Sequence, residues 1–321
     1  MNTNTLTKKF FRSDAAQRLL AFAGLIIMFV VFSLASPHFF QWSNIKGLLL
    51  ATSVNGVLAL GVTFVIITAG IDLSVGTVMT LAAVMTGVFI TNLGFPIPVG
   101  IIGGLLTGAL AGLTNGVVIA KMKIPPFVAT LGMLYIAKGL SLVISGLKPI
   151  YFTNTPLFTK IAMGDLFGVP SAVLIFFAAA LVAHLILTKT VLGRYTFALG
   201  SNEEATRLSG VNVDKWKMAV YMLAGCFSGL AGVMIAARLN SAQPALGAGY
   251  ELEAIAAVVI GGTSLSGGEG NIMGTVIGAF VISVLTNGLR ILSIPQEWQI
   301  VVTGAIVILA VYADILRRQR S

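Results

Sequence analysis

The sequence predicts an all-α polytopic membrane protein with about ten transmembrane helices, pseudo-repeated halves and some broken or short helices. Three observations predict it. Of 321 residues, 57% are hydrophobic and only 10% charged, and the mean hydropathy is +0.97. Average soluble domains carry roughly 25% charged residues, so this chain cannot clothe a water-soluble globule. Apolar stretches recur at 19–36, 47–69, 74–91, 97–120, 124–145, 170–188, 218–237, 252–263, 271–292 and 297–316. Most approach the roughly 20 residues that cross about 30 Å of hydrocarbon. Glycine is abundant, 36 residues without a collagen period, which suits close helix packing in lipid. This composition excludes a cytosolic enzyme, a disordered chain and a nucleic-acid binder.

The formal charge of +9 is explained by placement. Ten spans put both termini on one side. With those termini in the cytoplasm, 14 of the 20 Lys and Arg residues are cytoplasmic: Lys8, Lys9, Arg12, Arg18, Lys121, Lys123, Lys189, Arg194, Arg207, Lys215, Lys217, Arg317, Arg318 and Arg320. Lys46, Lys138, Lys148, Lys160, Arg238 and Arg290 are not. The positive-inside bias therefore orients the chain. Trp42 and Trp298 fall at the outer interface and Trp216 at the inner one. The expected organisation is a cytoplasmic segment 1–18, a transmembrane domain 19–316 with a cytoplasmic loop 189–217, and a cytoplasmic tail 317–321.

The first stretch, 19–36, has a basic lead and small residues near Ala35-Ser36, the look of a cleaved signal peptide. Its removal would leave nine spans and break the charge parity, so it is read as a span. The second, 47–69, carries Asn55. It ends at Gly70-Ile71-Asp72-Leu73-Ser74-Val75-Gly76, a GxxLSxG pattern that returns at Gly262–Gly268. Glycine at these points breaks helix and frees polar backbone, tolerated at membrane depth only beside protein or water. Paired breaks in two halves mark many transporters. Ordinary turns at the cytoplasmic edge explain the same pattern. Asp72 and Ser74 are pathway candidates, because a carboxylate beside hydrocarbon is costly unless paired or functional.

In stretch 97–120, Gly100, Gly104, Gly108, Gly112 and Gly116 recur every four residues and keep to one ridge of a helix. Such a ladder admits a close neighbour. Gly270, Gly274 and Gly278 repeat it in shorter form. Asn115 and Asn287 lie in apolar segments as interhelical glue or pathway lining. Stretches 124–145 and 170–188 enclose an outer loop, 145–169. The loop 238–253 brings Asn240, Gln243, Tyr250 and Glu251 beside Glu253, with Pro244, Gly247 and Gly249 opposing a continuous helix. Direct solute contact and docking of an external partner are both open there. Stretch 252–263 is too short to span alone unless that loop dips into the membrane.

In the loop from Lys189 to Lys217, Ser201-Asn202-Glu203-Glu204 matches a capping box, S-x-x-E. Glu203 and Glu204 complement the helix dipole and Gly210 supplies a stop. The pattern predicts a helix of about two turns over 202–209, with Ala205 and Leu208 on one face. A short capped helix between two spans is a rigid knob suited to transmitting force.

Catalytic machinery is absent from the sequence. No Gly-Lys dipeptide exists, so there is no P-loop, and no GxGxxG, HExxH or GxSxG occurs. His38 and His184 stand apart from other ligand residues, so no metal site or cofactor is expected. Cys226, the sole cysteine, reads as a small packed hydrophobe. Active transport would need ATP hydrolysis in a partner or an ion gradient. Asp72 or Glu251 would serve an ion-coupled secondary transporter.

Glu204-Ala205-Thr206-Arg207-Leu208-Ser209-Gly210 resembles the EAA-x3-G cytoplasmic signature of ATP-binding cassette permeases. It departs from it in lacking a later Leu-Pro; the chain reads Val220-Tyr221-Met222 there. ThrSerValAsn at 52–55, AlaGlyIleAspLeuSerValGly at 69–76, LeuGlyArgTyr at 192–195, AlaArgLeuAsnSerAlaGlnPro at 237–244 and the run 250–268 resemble the ribose-type bacterial sugar permeases. The resemblance covers residue 20 to the end. It implies a multi-pass subunit of the bacterial inner membrane, paired with a second copy. It also implies a cytoplasmic ATPase using ATP and Mg, a periplasmic sugar-binding protein and a monosaccharide, with ribose favoured. Residues Asn202, Glu203, Glu204, Ala205, Thr206, Arg207, Leu208 and Gly210 would be the coupling helix seated in the ATPase. The outer loops 145–169 and 238–253 would face the binding protein.

Overall fold

Helices form wherever an apolar stretch was read. The computed structural model describes residues 14–166 and 168–319, so most of segment 1–18 and the end of tail 317–321 lie outside the described residues. The helices are α1 (Asp14–Ala35), α2 (Trp42–Ile67), α3 (Val75–Gly87), α4 (Ile97–Ala120), α5 (Pro126–Ser145), α6 (Pro156–Met163), α7 (Ser171–Lys189), α8 (Val191–Ser201), α9 (Glu203–Leu208), α10 (Val213–Leu239), α11 (Tyr250–Ile260), α12 (Ile272–Ile291) and α13 (Gln296–Gln319). A π-turn at Val88–Asn92 prolongs α3.

Among the described residues, seven helices are long and apolar enough to cross a membrane: α2, α3 with its π-turn, α4, α5, α7, α10 and α12. They bear out an all-α polytopic membrane protein. Helices α1 and α13 are 22 and 24 residues long, with apolar described parts at Ala21–Ala35 and Gln296–Leu309. Helix α11 has 11 residues, about 16 Å, half the hydrocarbon thickness.

Burial sets the architecture. Helix α2 is buried over 94% of its apolar window, α5 over only 22%, so α2 is the hub and α5 lies at the periphery. The ladder sets the tightest seam, α4 against α10. A Cβ at Gly108 would lie 2.2 Å from the Gly225 carbonyl oxygen, one at Gly112 2.2 Å from that of Tyr221, and one at Gly116 2.7 Å from Met218 Cα. Gly104 meets Thr86 Oγ1 and Val233, and Gly100 meets Ile90. All five ladder glycines thus face protein. The shorter ladder closes α12 onto α11, with Gly274 facing the Gly261 carbonyl and Gly278 that of Ala257.

One end of the bundle carries Lys121 and Lys123 paired with Asp214, and Lys217 and Arg207 paired with Glu203. We call it the basic end. At the far end Lys46 pairs with Asp165. There the two-residue strands β1 (Ile150–Tyr151) and β4 (Ser241–Ala242) run antiparallel, Ile150 opposite Ala242. Strands β2 (Asp165–Leu166) and β3 (Val169–Pro170) form a small hairpin.

Strand β4 begins a dip. Gly87 faces Ala242, and Gly76, eleven residues and about 16 Å further along α3, faces the Gly247 carbonyl. The chain after α10 therefore turns back into the bundle before α11 starts. This is the condition under which stretch 252–263 need not cross the membrane alone.

Candidate transport and coupling sites

Three of the sequence candidates converge beside the first break. The backbone N–H and Oγ of Ser74 donate to Asp72 Oδ1 at 2.8 and 2.6 Å. Asn115 Nδ2 donates to Ser74 Oγ at 2.9 Å, joining α4 to the turn. Asp72, Ser74 and Asn115 are 2%, 1% and 1% exposed, so this network is sealed in the present conformation. Thr130 of α5 donates to the Ile71 carbonyl at 3.3 Å. The Tyr221 hydroxyl closes over Gly70, where a Cβ would meet it at 2.5 Å; it is buried and makes no hydrogen bond. Tyr221 was not among the candidates, since it lies inside an apolar run. Asn115 stands six residues before Lys121, about 9 Å, so the network sits more than a helical turn inside the basic end.

A second group gathers where the dip meets α11. Asn55 Nδ2 donates to Glu253 Oε2. Glu251 accepts the Gly249 N–H at 3.1 Å and reaches toward Gly76. Tyr250 opens the same helix. Glu253 was read in the loop but not among the candidates, because its partner Asn55 is 198 residues away.

The remaining polar candidates have structural partners. Asn44 and Asn287 exchange hydrogen bonds at 3.1 and 2.9 Å, tying α2 to α12. Asn240 ends α10 in the left-handed region, φ 51°, and its carbonyl accepts Phe152 N–H. Gln243 donates to Ser241 Oγ at 2.9 Å. These three do not join the Asp72 network.

The short helix predicted in the long loop is α9, Glu203–Leu208. Its cap differs from the capping box. Ser201 completes α8, and Asn202 Oδ1 accepts the Ala205 N–H at 2.9 Å. Asn202 is extended, φ −163°, so the chain kinks there and the cap moves one residue on. Gly210 stops the helix with φ +81°. Thr206 is buried, its Oγ1 donating to the Ala198 and Asn202 carbonyls. Glu204, Ala205 and Leu208 are exposed, Leu208 by 80%. Glu203 anchors the knob: Lys217 Nζ lies 2.6 Å away and Arg207 Nη2 3.0 Å away. Partial burial pushes the Glu203 carboxyl up, but the Lys217 and Arg207 cations outweigh it and hold it below the usual carboxylate range.

The end of α8, just before the knob, touches both helix breaks. A Cβ at Gly200, two residues before the cap, would lie 1.7 Å from the Ile67 carbonyl oxygen and 2.5 Å from Gly268 N. Gly268 N–H donates to that same Ile67 oxygen at 2.9 Å, and Gly267 faces Ala69. Residues 67–70, 200–203 and 267–268 therefore form one joint. A cavity of about 390 Å³ lies alongside, lined among others by Gly70, Asn202, Glu203, Lys217 and Tyr221.

A buried polar turn within a glycine-packed bundle, joined to an exposed knob, suits a membrane permease driven from outside itself. The family model of the branched-chain amino acid transport system permease component matches residues 44–311. The chain belongs to this permease family. The permease is 41% identical over 322 residues to the ribose import permease protein RbsC of Escherichia coli K12, covering 98% of this chain and 99% of that one. It is 41% identical to RbsC of Bacillus subtilis, covering 97% and 96%, and 36% identical to the fructose import permease protein FrcC of Rhizobium meliloti, covering 94% and 85%. It groups with the ribose-type permeases of ATP-binding cassette importers. No solved structure matches the chain significantly. As a multi-pass permease of a bacterial inner membrane it is a transport subunit and not an enzyme; ATP is split in a separate subunit.

Proposed function

We propose that the permease is the membrane subunit of an ATP-driven monosaccharide importer, with ribose as its solute, and that two copies form the pathway by alternating access. The observation that carries the reading is the joint of Gly200, Ile67 and Gly268, which ties an exposed knob to both helix breaks. In this reading the transmembrane domain is 19–316, the basic end and both termini face the cytoplasm, and α9 is seated in the ATPase. The far end, with β1 and β4, receives the periplasmic sugar-binding protein. The two breaks move together when the knob moves. Asp72, Ser74 and Asn115 hold the first break in shape; Asn55, Tyr250 and Glu251 stand at the dip, where the solute passes.

Reconstitution tests this. The permease in liposomes with its ATPase and binding protein should take up ribose only with ATP inside. Uptake by the permease alone, driven by a proton or Na⁺ gradient, would sink the proposal in favour of an ion-coupled carrier using Asp72 or Glu251.

A further inference from the structure

Lys138 is the basic residue that the topology leaves unexplained. It lies 12 residues into the 20-residue membrane-length helix α5, about 10 Å from that helix's far end. It is exposed, and among the described residues it makes no ion pair or side-chain hydrogen bond. An ammonium group on a lipid-facing surface at that depth is costly, and such residues face protein or water. Lys138 sits at the border between the buried stripe of α5 (Thr130, Met133, Ala137, Ser141) and the face carrying Tyr135, Gly139 and Val143. There it lines a cleft of about 10 Å³ with Thr77, Thr80, Pro244, Gly247 and Ala248. Thr80 stands twelve residues, about 18 Å, from Asn92, where the π-turn that prolongs α3 ends, so the cleft lies deep, not at the headgroups. A stem reaching outward to headgroups would not line it. The volume is about that of one water, too small for a sugar. The cleft also coincides with the deepest point of the dip, where Gly247 meets Gly76.

We propose that Lys138 lines the solute path at its constriction, where its ammonium donates to the hydroxyls of a passing sugar opposite the Thr77 and Thr80 hydroxyls and the backbone of the 244–248 dip. The inference rests on the reading of the chain as a sugar permease. It adds a recognition residue on α5, whose other outward side chains over its middle turns include Tyr135, Ile136 and Leu140.

The experiment uses the permease reconstituted with its ATPase and binding protein, in a Cys226→Ala background. Lys138→Cys should react with a membrane-impermeant methanethiosulfonate, with the rate changing during ATP-driven turnover, whereas Ile136→Cys, exposed and further from the helix end, should react only with membrane-permeant N-ethylmaleimide. Lys138→Met should lower ribose uptake by about tenfold or more, the effect of one lost charged hydrogen bond. Lys138→Arg should restore part of it. Modification of Lys138→Cys by the permeant reagent alone, or wild-type uptake by Lys138→Met, would overturn the proposal. Should Lys138→Met fail to assemble, the labelling of Lys138→Cys still decides. Should the wild-type complex transport no ribose, the functional reading fails. The labelling pattern stands apart from that outcome.

Discussion

The α4–α10 seam gives the sharpest test of how glycine builds this bundle. In Gly108→Ala the new methyl carbon would lie 2.2 Å from the Gly225 carbonyl oxygen, 2.7 Å from Gly229 N and 2.8 Å from Gly229 Cα. Ordinary contact begins at 3.4 Å, so the shortfall is 1.2 Å. The obstructing atoms are backbone, so no side chain can swing aside and the helices themselves must part. Overpacking of this kind costs about 1–3 kcal/mol, and rigid backbone places it near the top of that range. Alanine returns up to about 1 kcal/mol through helix propensity. The net loss is about 1–2 kcal/mol. Gly132→Ala in α5 is the matched control, since nothing lies within 4 Å of its added carbon. Thermal unfolding of both variants in detergent should separate them: Gly108→Ala lowers the midpoint by roughly 2–8 °C, and Gly132→Ala leaves it unchanged or raises it. Equal midpoints would show that the seam yields freely and that the ladder does not set the helix distance.

Glu204→Lys, on the exposed side of the knob, should abolish ATP-dependent uptake while leaving the unfolding midpoint within a degree or two; full transport would remove α9 from the coupling assignment. Gly200→Ala would place a carbon 1.7 Å from the Ile67 oxygen, displacing the Gly268 hydrogen bond, so uptake should fall with the ATPase still co-purifying. Uptake at the wild-type rate would mean that the joint is not a transmission point. Asp72→Asn keeps an acceptor for the two Ser74 donors, whereas Asp72→Leu strands them at a cost of about 1–3 kcal/mol, so only the leucine variant should melt several degrees early. The Glu203 carboxyl is held below its ordinary 4.5, so its contribution is present above that value and is lost as pH falls through the lowered one. Hydrogen exchange over 203–208, corrected for its intrinsic pH dependence, should therefore stay slow at pH 6 and quicken only below about pH 4.5. Quickening by pH 6 would show that the ion pairs do not hold the knob.

What the sequence conveyed depended on whether an interaction is local. Apolar length placed the helices, and the four-residue spacing of the ladder placed the α4 face that meets α10. The S-x-x-E pattern found the knob but set its cap one residue early, because the kink at Asn202 comes from packing Gly200 onto Ile67, which no local pattern carries. Contacts across long separations were not legible: Asn55 to Glu253, Asn115 to Ser74, and Tyr221 over Gly70. The depth of the 240–249 dip was conditional for the same reason, since it is set by Gly76 facing Gly247. The repeated GxxLSxG pattern was readable as two separate turns, but the structure makes it a single joint. Gly268 N–H bonds the Ile67 oxygen, and Gly267 accepts the approach of Ala69 only because its own φ of +82° and lack of a side chain leave the room. Backbone meeting backbone transmits displacement without the slack of rotating side chains. On the proposed reading, a push on Asn202–Leu208 would pass through Gly200 to the ends of α2 and α11 together, and through them to the Asp72 turn on one side and the start of α12 on the other.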